Sequence, residues 1–385
     1  MQATLEKTIV ARVATKDLRN ALKVISKVMS RSPIVPMLES IIVEVRDDSL
    51  LISGSDLITA VLIKVPLKQV MQPGIFTIEF ARLNSIIKYI SDEHIQFEVS
   101  GEEKLKKICI SWTDASITLR EDYTYLEMPR LPAAGDENGI FQMGLHQLRE
   151  GLKLCKKSTS SDNLRPAMTG IYIDSYGEHV KIVSTDGHRL TRYETDIQFN
   201  FPSFIVNKVL SDIFEANRTT RSENVEIQVG KATASFIFDN CTVVTKKMDG
   251  RYPDYENAIS QDVKVHVNAP LNLLLNRLEL ARLMSNEVTH QVEFEFSKDA
   301  LKIATQDFDY DIQTSQVMAV QTISQDTDII IGFNAKLLKH SLSGYSGDVE
   351  IKVTASNRCA LFHPKTKYGK SLTILLMPVL LKTYD

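Results

Sequence analysis

The sequence predicts an α+β fold in which three homologous domains each carry antiparallel sheets and two helices. Three observations predict it. Two unrelated strand motifs recur three times in the same order. Their spacing is that of a small domain, and each copy places two amphipathic helices among alternating strands.

The first motif reads LLISGSD (50–56), VKIVSTD (180–186) and LKIATQD (301–307), an alternating apolar strand closed by Asp56, Asp186 or Asp307. The second reads HIQFEVS (94–100), NVEIQVG (224–230) and DVEIKVT (348–354). The first recurs after 130 and 121 residues, the second after 130 and 124, too long for a solenoid unit and right for a domain. Between them a short strand runs into a helix, in IFTIEFARLNSIIKYI, PSFIVNKVLSDIF and DIIIGFNAKLLKHSL. Each domain also opens with a helix. The first sets Leu18, Leu22, Ile25 and Met29 on one face, the second Leu145, Leu148, Leu152 and Cys155, and the third reads APLNLLLNRLELARLM. Turn-prone stretches at 128–139 and 258–263 divide the chain into domains at 1–130, 139–260 and 262–385. Hairpin-rich strands with helices on one face give an antiparallel architecture.

Composition narrows the task. The 385 residues are 43% apolar and 24% charged, enough to bury large cores. A net charge of −3 excludes a uniformly basic nucleic-acid binder but leaves room for a locally basic face. Apolar runs such as 372–376 are far short of a bilayer span, and the N-terminus has no signal-like apolar core. Cys109, Cys155, Cys241 and Cys359 lie far apart with no metal-ligand spacing, so they read as reduced thiols of a cytoplasmic protein. No metal or cofactor is expected.

The helical windows 16–31, 81–91, 146–157, 206–218, 270–284 and 334–345 together carry +12, which leaves −15 on the rest. Amphipathic helices often carry Lys and Arg on their wet face. The alternative is that all six face one anionic polymer while strands and loops form an acidic exterior, and the threefold segregation favours this. No concentrated set of base-reading side chains accompanies the charge.

Four stretches then carry a family resemblance: LRPAMTGIYID from Leu164, VKIVSTDGHRL, DGRYPDYENAI from Asp249, and TILLMPVLL from Thr373. With VPMLESIIVEV and LMSNE, they make nearly the whole chain resemble the bacterial sliding clamp family, the beta subunits of the replicative DNA polymerase. The resemblance implies a ring-shaped dimer of three-domain chains, with antiparallel sheets outside and helices lining a central channel for duplex DNA. It implies partners as well: replicative and other DNA polymerases, a clamp loader and repair proteins, recruited through a peptide cleft. No membrane is involved. The cleft positions are Met168, Thr185, Gly187, His188, Arg189, Leu190, Pro253, Asn257, Ala258, Met377, Pro378, Val379 and Leu381. Met168, Leu190, Pro253, Val379 and Leu381 are expected to form its apolar floor, with His188 and Arg189 on the rim. Asn257 stands where a basic or apolar residue is common, and Lys382 to Asp385 extend the chain beyond the family's usual end.

For DNA, Arg82 matches a contacting position of the family, Ser32 occupies another, and Arg31 is its neighbour. Lys156, Lys157 and Arg165 complete the residues expected near phosphates. The dimer contact implied is Ile117 and Leu119 of one chain against Leu283 and Met284 of the other. A clamp-like scaffold with altered partners is the second functional class. A hydrolase triad of Ser184, Asp186 and His188 is disfavoured: no GxSxG elbow occurs, and the other copies of the motif lack the His. The repeated aspartates read as turn formers rather than metal ligands. With no Walker A run, ring loading falls to a separate ATPase.

Overall fold

Alternation settles most of the strands: IVARVA, HIQFEVS and QVEFEFS each bury every second side chain. The computed structural model describes residues 8–30, 33–101, 106–129, 139–218, 220, 222–259, 262–307 and 309–381. Its first repeat runs β1 (Ile9–Ala14), α1 (Thr15–Ile25), β2 (Ser40–Val45), β3 (Ser49–Ser55), β4 (Thr59–Gln72), β5 (Gly74–Glu79), α2 (Phe80–Tyr89), β6 (His94–Ser100), β7 (Lys107–Trp112) and β8 (Ala115–Arg120). The second runs β9 (Ile140–Gly144), α3 (Leu145–Lys156), a one-turn α4 (Pro166–Thr169), β10 (Gly170–Asp174), β11 (Lys181–Thr185), β12 (Arg189–Glu194), β13 (Phe204–Asn207), α5 (Val209–Ala216), β14 (Asn224–Val229), β15 (Thr233–Phe238) and β16 (Cys241–Lys246). The third runs β17 (Val265–Pro270), α6 (Leu271–Met284), β18 (Gln291–Ser297), β19 (Ala300–Asp307), β20 (Ile312–Ala319), β21 (Gln321–Gln325), β22 (Ile329–Asn334), α7 (Ala335–Leu342), β23 (Asp348–Val353), β24 (Ala360–Pro364) and β25 (Ser371–Leu376).

The pairing repeats with the elements. The opening strand pairs with the one after the second long helix, in β1·β6, β9·β14 and β17·β23. The next strand pairs with the one before that helix, in β2·β5, β10·β13 and β18·β22. All of these pairs are antiparallel. Three copies of one module are therefore present.

The contacts group the chain into two compact units, Met1–Arg149 with Val209–Lys247, and Glu150–Lys208 with Met248–Asp385. In the first, β1 to β8 join β9 and β14 to β16 in one 12-stranded sheet. In the second, β10 to β13 join third-repeat strands in a 9-stranded sheet, beside a 4-stranded sheet of order β20-β19-β18-β22. The middle repeat is thus shared between the units. One rule makes both joins: the fourth strand of a repeat pairs with the last strand of the next. β4 meets β16 from Thr59↔Thr245 to Ile63↔Cys241. β12 meets β25 from Arg189↔Leu376 to Glu194↔Ser371. At the first seam the buried hydroxyls of Thr59 and Thr245 lie 3.0 Å apart. β8 and β20 end their rows, with no second partner among the described residues.

Most of the helices are shorter than the sequence windows. α1 stops at Ile25 rather than continuing to Arg31: Lys27 and Val28 donate to carbonyls three residues back, Val24 and Ile25, as the chain tightens into a turn, and Ser26 donates its hydroxyl to the Lys23 carbonyl at 2.7 Å. α5 begins only at Val209, since Asn207 is still paired with Gly170 in the sheet. α7 begins after Asn334, whose side chain caps the Leu337 amide at 2.9 Å, and ends before Gly344 at φ +86°.

Two of the helix cations counted toward a basic face are used inside the fold. Arg19 donates Nη2 to the carbonyls of Ile87 (3.1 Å) and Ile90 (2.8 Å) at the end of α2. At the same place one repeat later, Arg149 donates to Phe214 (3.0 Å) and Asn217 (2.9 Å) at the end of α5. A guanidinium suits this task because it only donates and its charge complements the helix terminus. Arg19→Met is expected to destabilise the end of α2 by about 1.5–3 kcal/mol, read as lost hydrogen-exchange protection at 87–90. Unchanged protection there would show that the two bonds hold nothing.

Cys155, Cys241 and Cys359 are buried, Cys109 is half-buried, and none is in a disulfide. Burial raises the thiol pKa of Cys155 and pushes that of Cys241 up to about 12, which keeps both protonated. Among the described residues no helix is long and apolar enough to cross a membrane.

Candidate functional site

The TDGHRL segment is a tight turn between β11 and β12. Asp186 Oδ1 accepts the backbone N–H of His188 and of Arg189, each at 2.9 Å. Gly187 sits at φ +90°, which the turn requires. Thr185 Oγ1 accepts the Gly187 N–H at 3.1 Å and donates to the Arg189 carbonyl at 2.7 Å. The other two copies use the same carboxylate cap: Asp56 accepts from Ile58 and Thr59, and Asp307 from Asp309. This is turn chemistry. A triad does not assemble, because the buried Ser184 hydroxyl donates to the Cys155 carbonyl while His188 is exposed.

The C-terminal stretch crosses from this turn to another strand. Met377 donates its N–H to the His188 carbonyl at 2.8 Å, and Val379 donates to the Gly332 carbonyl of β22 at 2.9 Å. Gly332 is the seat: a Cβ there would stand 2.6 Å from the Val379 oxygen and 2.8 Å from Leu381 Cδ2. Met377 is exposed, and Pro378, Val379 and Leu381 are half-buried.

The YPDY segment is held by its two tyrosines. Tyr252 stacks on Tyr172 with centroids 4.6 Å apart, and Tyr255 donates its hydroxyl to Asp174 Oδ2 at 2.6 Å. Burial, then the Asp174 bond, raises the Tyr255 pKa. Both rings join Val183, Leu190, Leu361 and Leu375 in one buried cluster. Pro253, Asn257 and Ala258 are left outside and exposed, with Asn257 bonded to Asp254 at 2.7 Å.

Of the five apolar residues expected as a floor, Leu190 is 3% exposed and Met168 7%. Their packing is closed in the free chain, and the accessible apolar surface comes from Pro253, Ala258, Met377, Val379, Leu380 and Leu381. Met168 does lie beside the turn: a Cβ on Gly187 would be 3.6 Å from its Cε, and 3.8 Å from Nη1 of Arg165. Arg165, expected near phosphates, is thus a neighbour of the cleft turn.

Arg82 is exposed and pairs with Glu79 at 2.5 Å. Lys156 is half-buried at the end of α3. Lys157 is directed inward: it donates to the Ser343 carbonyl and lies 5.1 Å over the Tyr345 ring. Burial, then Lys153 and Arg189, lowers its pKa. Arg31, Ser32 and 382–385 lie outside the described residues. Ile117 and Leu119 share one half-buried face of β8, while Leu283 (57%) and Met284 (41%) are exposed at the end of α6.

Gly332, Tyr172, Asp174 and His340 escaped the sequence reading. Only Gly332 left a signal, a glycine inside a strand pattern, which marks close backbone approach.

The family model described as the DNA polymerase III beta subunit, N-terminal domain, matches residues 10–123, and that for the central domain matches 143–254. The beta sliding clamp of Escherichia coli (strain K12) is 21% identical over 377 residues, 95% of this chain and 98% of the relative. The DNA polymerase III beta subunit of Thermotoga maritima superposes with a TM-score of 0.86 at 19% identity, over 97% of this chain and 100% of that one. A Pseudomonas aeruginosa sliding clamp bound to griselimycin gives 0.86 at 20% identity, with the same two coverages. Two models of one family cover more than half of the residues between them, and the repeats fold alike, so the chain belongs to the DNA polymerase III beta subunit family, the beta sliding clamps.

Proposed function

We infer that two copies of the chain join head to tail around duplex DNA and tether the replicative polymerase and other partners to it. The observation that carries this is the seam rule. β4·β16 and β12·β25 join successive repeats, and among the described residues the rule leaves β8 and β20 as the two strands without a seam partner. A bare edge invites pairing, and the partner that satisfies the rule at both ends is a second copy. Exposed apolar groups beside β20, namely Val317 on it and Leu280, Leu283 and Met284 on α6, support the same contact with Ile117 and Leu119. The product is a closed ring.

The chain is a processivity factor and makes or breaks no bonds. Its output is a raised local concentration of polymerase at the primer end. Partners dock as extended peptides on the surface formed by the TDGHRL turn, the YPDY segment and the C-terminal stretch. We place the domains at 1–130, 139–260 and 262–385, a division supported by the recurring strand order and by the spans of the family models. The work is done in the cytoplasm, where the chromosome lies.

DNA binding is expected to be independent of sequence and steep in salt, since it rests on phosphates. Each neutralised phosphate contributes about −0.9 to the slope of log K against log salt. Arg82→Gln should reduce that slope by about 0.9 in anisotropy titrations with a duplex between 50 and 200 mM salt. A strong preference between two duplex sequences of equal length would sink the reading.

A further inference from the structure

Arg189 reaches beyond its own turn. Its Nε donates to Asp186 Oδ2 at 2.8 Å, and the two side chains are only 10% and 17% exposed. Its Nη1 lies 2.8 Å from Nδ1 of His340, in the last turn of α7, and 3.5 Å from the Ser341 hydroxyl. A guanidinium has no lone pair to offer. His340 Nδ1 is therefore the acceptor, and the imidazole is neutral with its proton on Nε2. The rest of the ring is exposed, so protons from solvent reach it.

We propose that His340 is a positioning residue of the peptide site: as a neutral acceptor it fixes the Arg189 guanidinium at the rim, and its protonation releases that guanidinium and weakens docking. The proposal rests on the reading of Arg189 as part of that site. The charged groups acting on the ring are Arg189 from the β11–β12 turn, itself paired with Asp186, and Lys157 from the end of α3, while the neighbouring Lys339 is paired with Glu279 on α6 at 2.8 Å. Protonation would put three cations around a single carboxylate that Arg189 already occupies. The α7 carbonyl terminus favours a charged imidazole. Partial burial, then Arg189 and Lys157, outweighs it, and the pKa lies below the ordinary histidine value. The neutral form thus prevails at pH 7.5, and docking is lost only as the pH falls through that lowered pKa, beneath the ordinary histidine value.

The test is fluorescence polarisation with a labelled extended peptide of the Gln/Leu/Phe type, read at pH 7.5 and at pH 5, above the ordinary carboxylate range. The native chain should lose roughly ten-fold in affinity across that interval. His340→Asn keeps an acceptor near Nδ1 that does not titrate, and should bind well at both values. His340→Leu should bind weakly at both. Equal affinities for the native chain and His340→Leu at pH 7.5, or the same pH dependence in the native chain and His340→Asn, overturn the proposal. Arg189→Met tests the reading beneath it: undiminished binding removes Arg189 from the site, and the proposal falls with it. The pair itself is checked without peptide by NMR of 13C-labelled histidine. The resonance missing in His340→Asn should report the Nε2–H tautomer, and its pKa should rise in Arg189→Met. An Nδ1–H tautomer would mean that the pair does not exist.

Discussion

Leu283→Ala combined with Met284→Ala is expected to turn the dimer into single chains at submicromolar concentration. Both side chains are exposed at the end of α6, whose Leu271, Leu274, Leu278 and Ala281 already fill the opposite, buried face. A helix apolar on two sides needs a second cover. Burying such a side chain contributes about 1.5–3 kcal/mol, so each contact loses about 3–6 kcal/mol before the smaller Ala contribution is counted. A head-to-tail dimer has two contacts, and the substitution damages both. Dissociation should strengthen by at least two orders of magnitude. Light scattering at falling concentration reads it, and a mass that stays at two chains throughout would show that this helix end is not the contact.

Removing residues 377–385 should abolish peptide docking and leave the fold standing. β25 ends at Leu376, and its ladder with β12 closes at Arg189↔Leu376, so the seam survives the cut. The described losses are two backbone bonds, Met377 to His188 and Val379 to Gly332, each contributing about 1 kcal/mol. The apolar surface lost is much of what the site exposes. Affinity for the Gln/Leu/Phe peptide should fall more than 100-fold, given about 1.5–3 kcal/mol for each buried apolar side chain no longer met. Gly332→Val makes the same point without deletion, since its first carbon would collide with the Val379 carbonyl. If the truncated chain binds as before, docking happens elsewhere; if it unfolds, the stretch is structural.

The repeat was legible because strand motifs with alternating burial are local, and three copies of one order reinforce one another. The paired strands and both helices of each copy follow from that. Helix ends were less legible, because Lys27 and Val28 bonding three residues back and Asn207 remaining in the sheet are decided by a few hydrogen bonds. Charge misled at Arg19, Arg149 and Lys157: a sequence shows that a cation lies on a helix, and only geometry shows that it points at a carbonyl. Motif residues came together at the turn, yet Leu190 proved to be packed under Tyr252 and Tyr255. Apolarity does not tell a floor from a core. His340 carried no signal, because its partner is 151 positions away.

The sharing of the middle repeat has a practical side for anyone cutting the gene into pieces. A fragment ending near residue 130 keeps β1 to β8 but strips β16 from β4. A fragment starting near 262 keeps β25 but strips β12 from it. Either cut bares a strand that is interior in the intact chain, and such fragments should precipitate or pair with themselves on expression. The stretches that look most natural to separate on paper are the ones least suited to live apart.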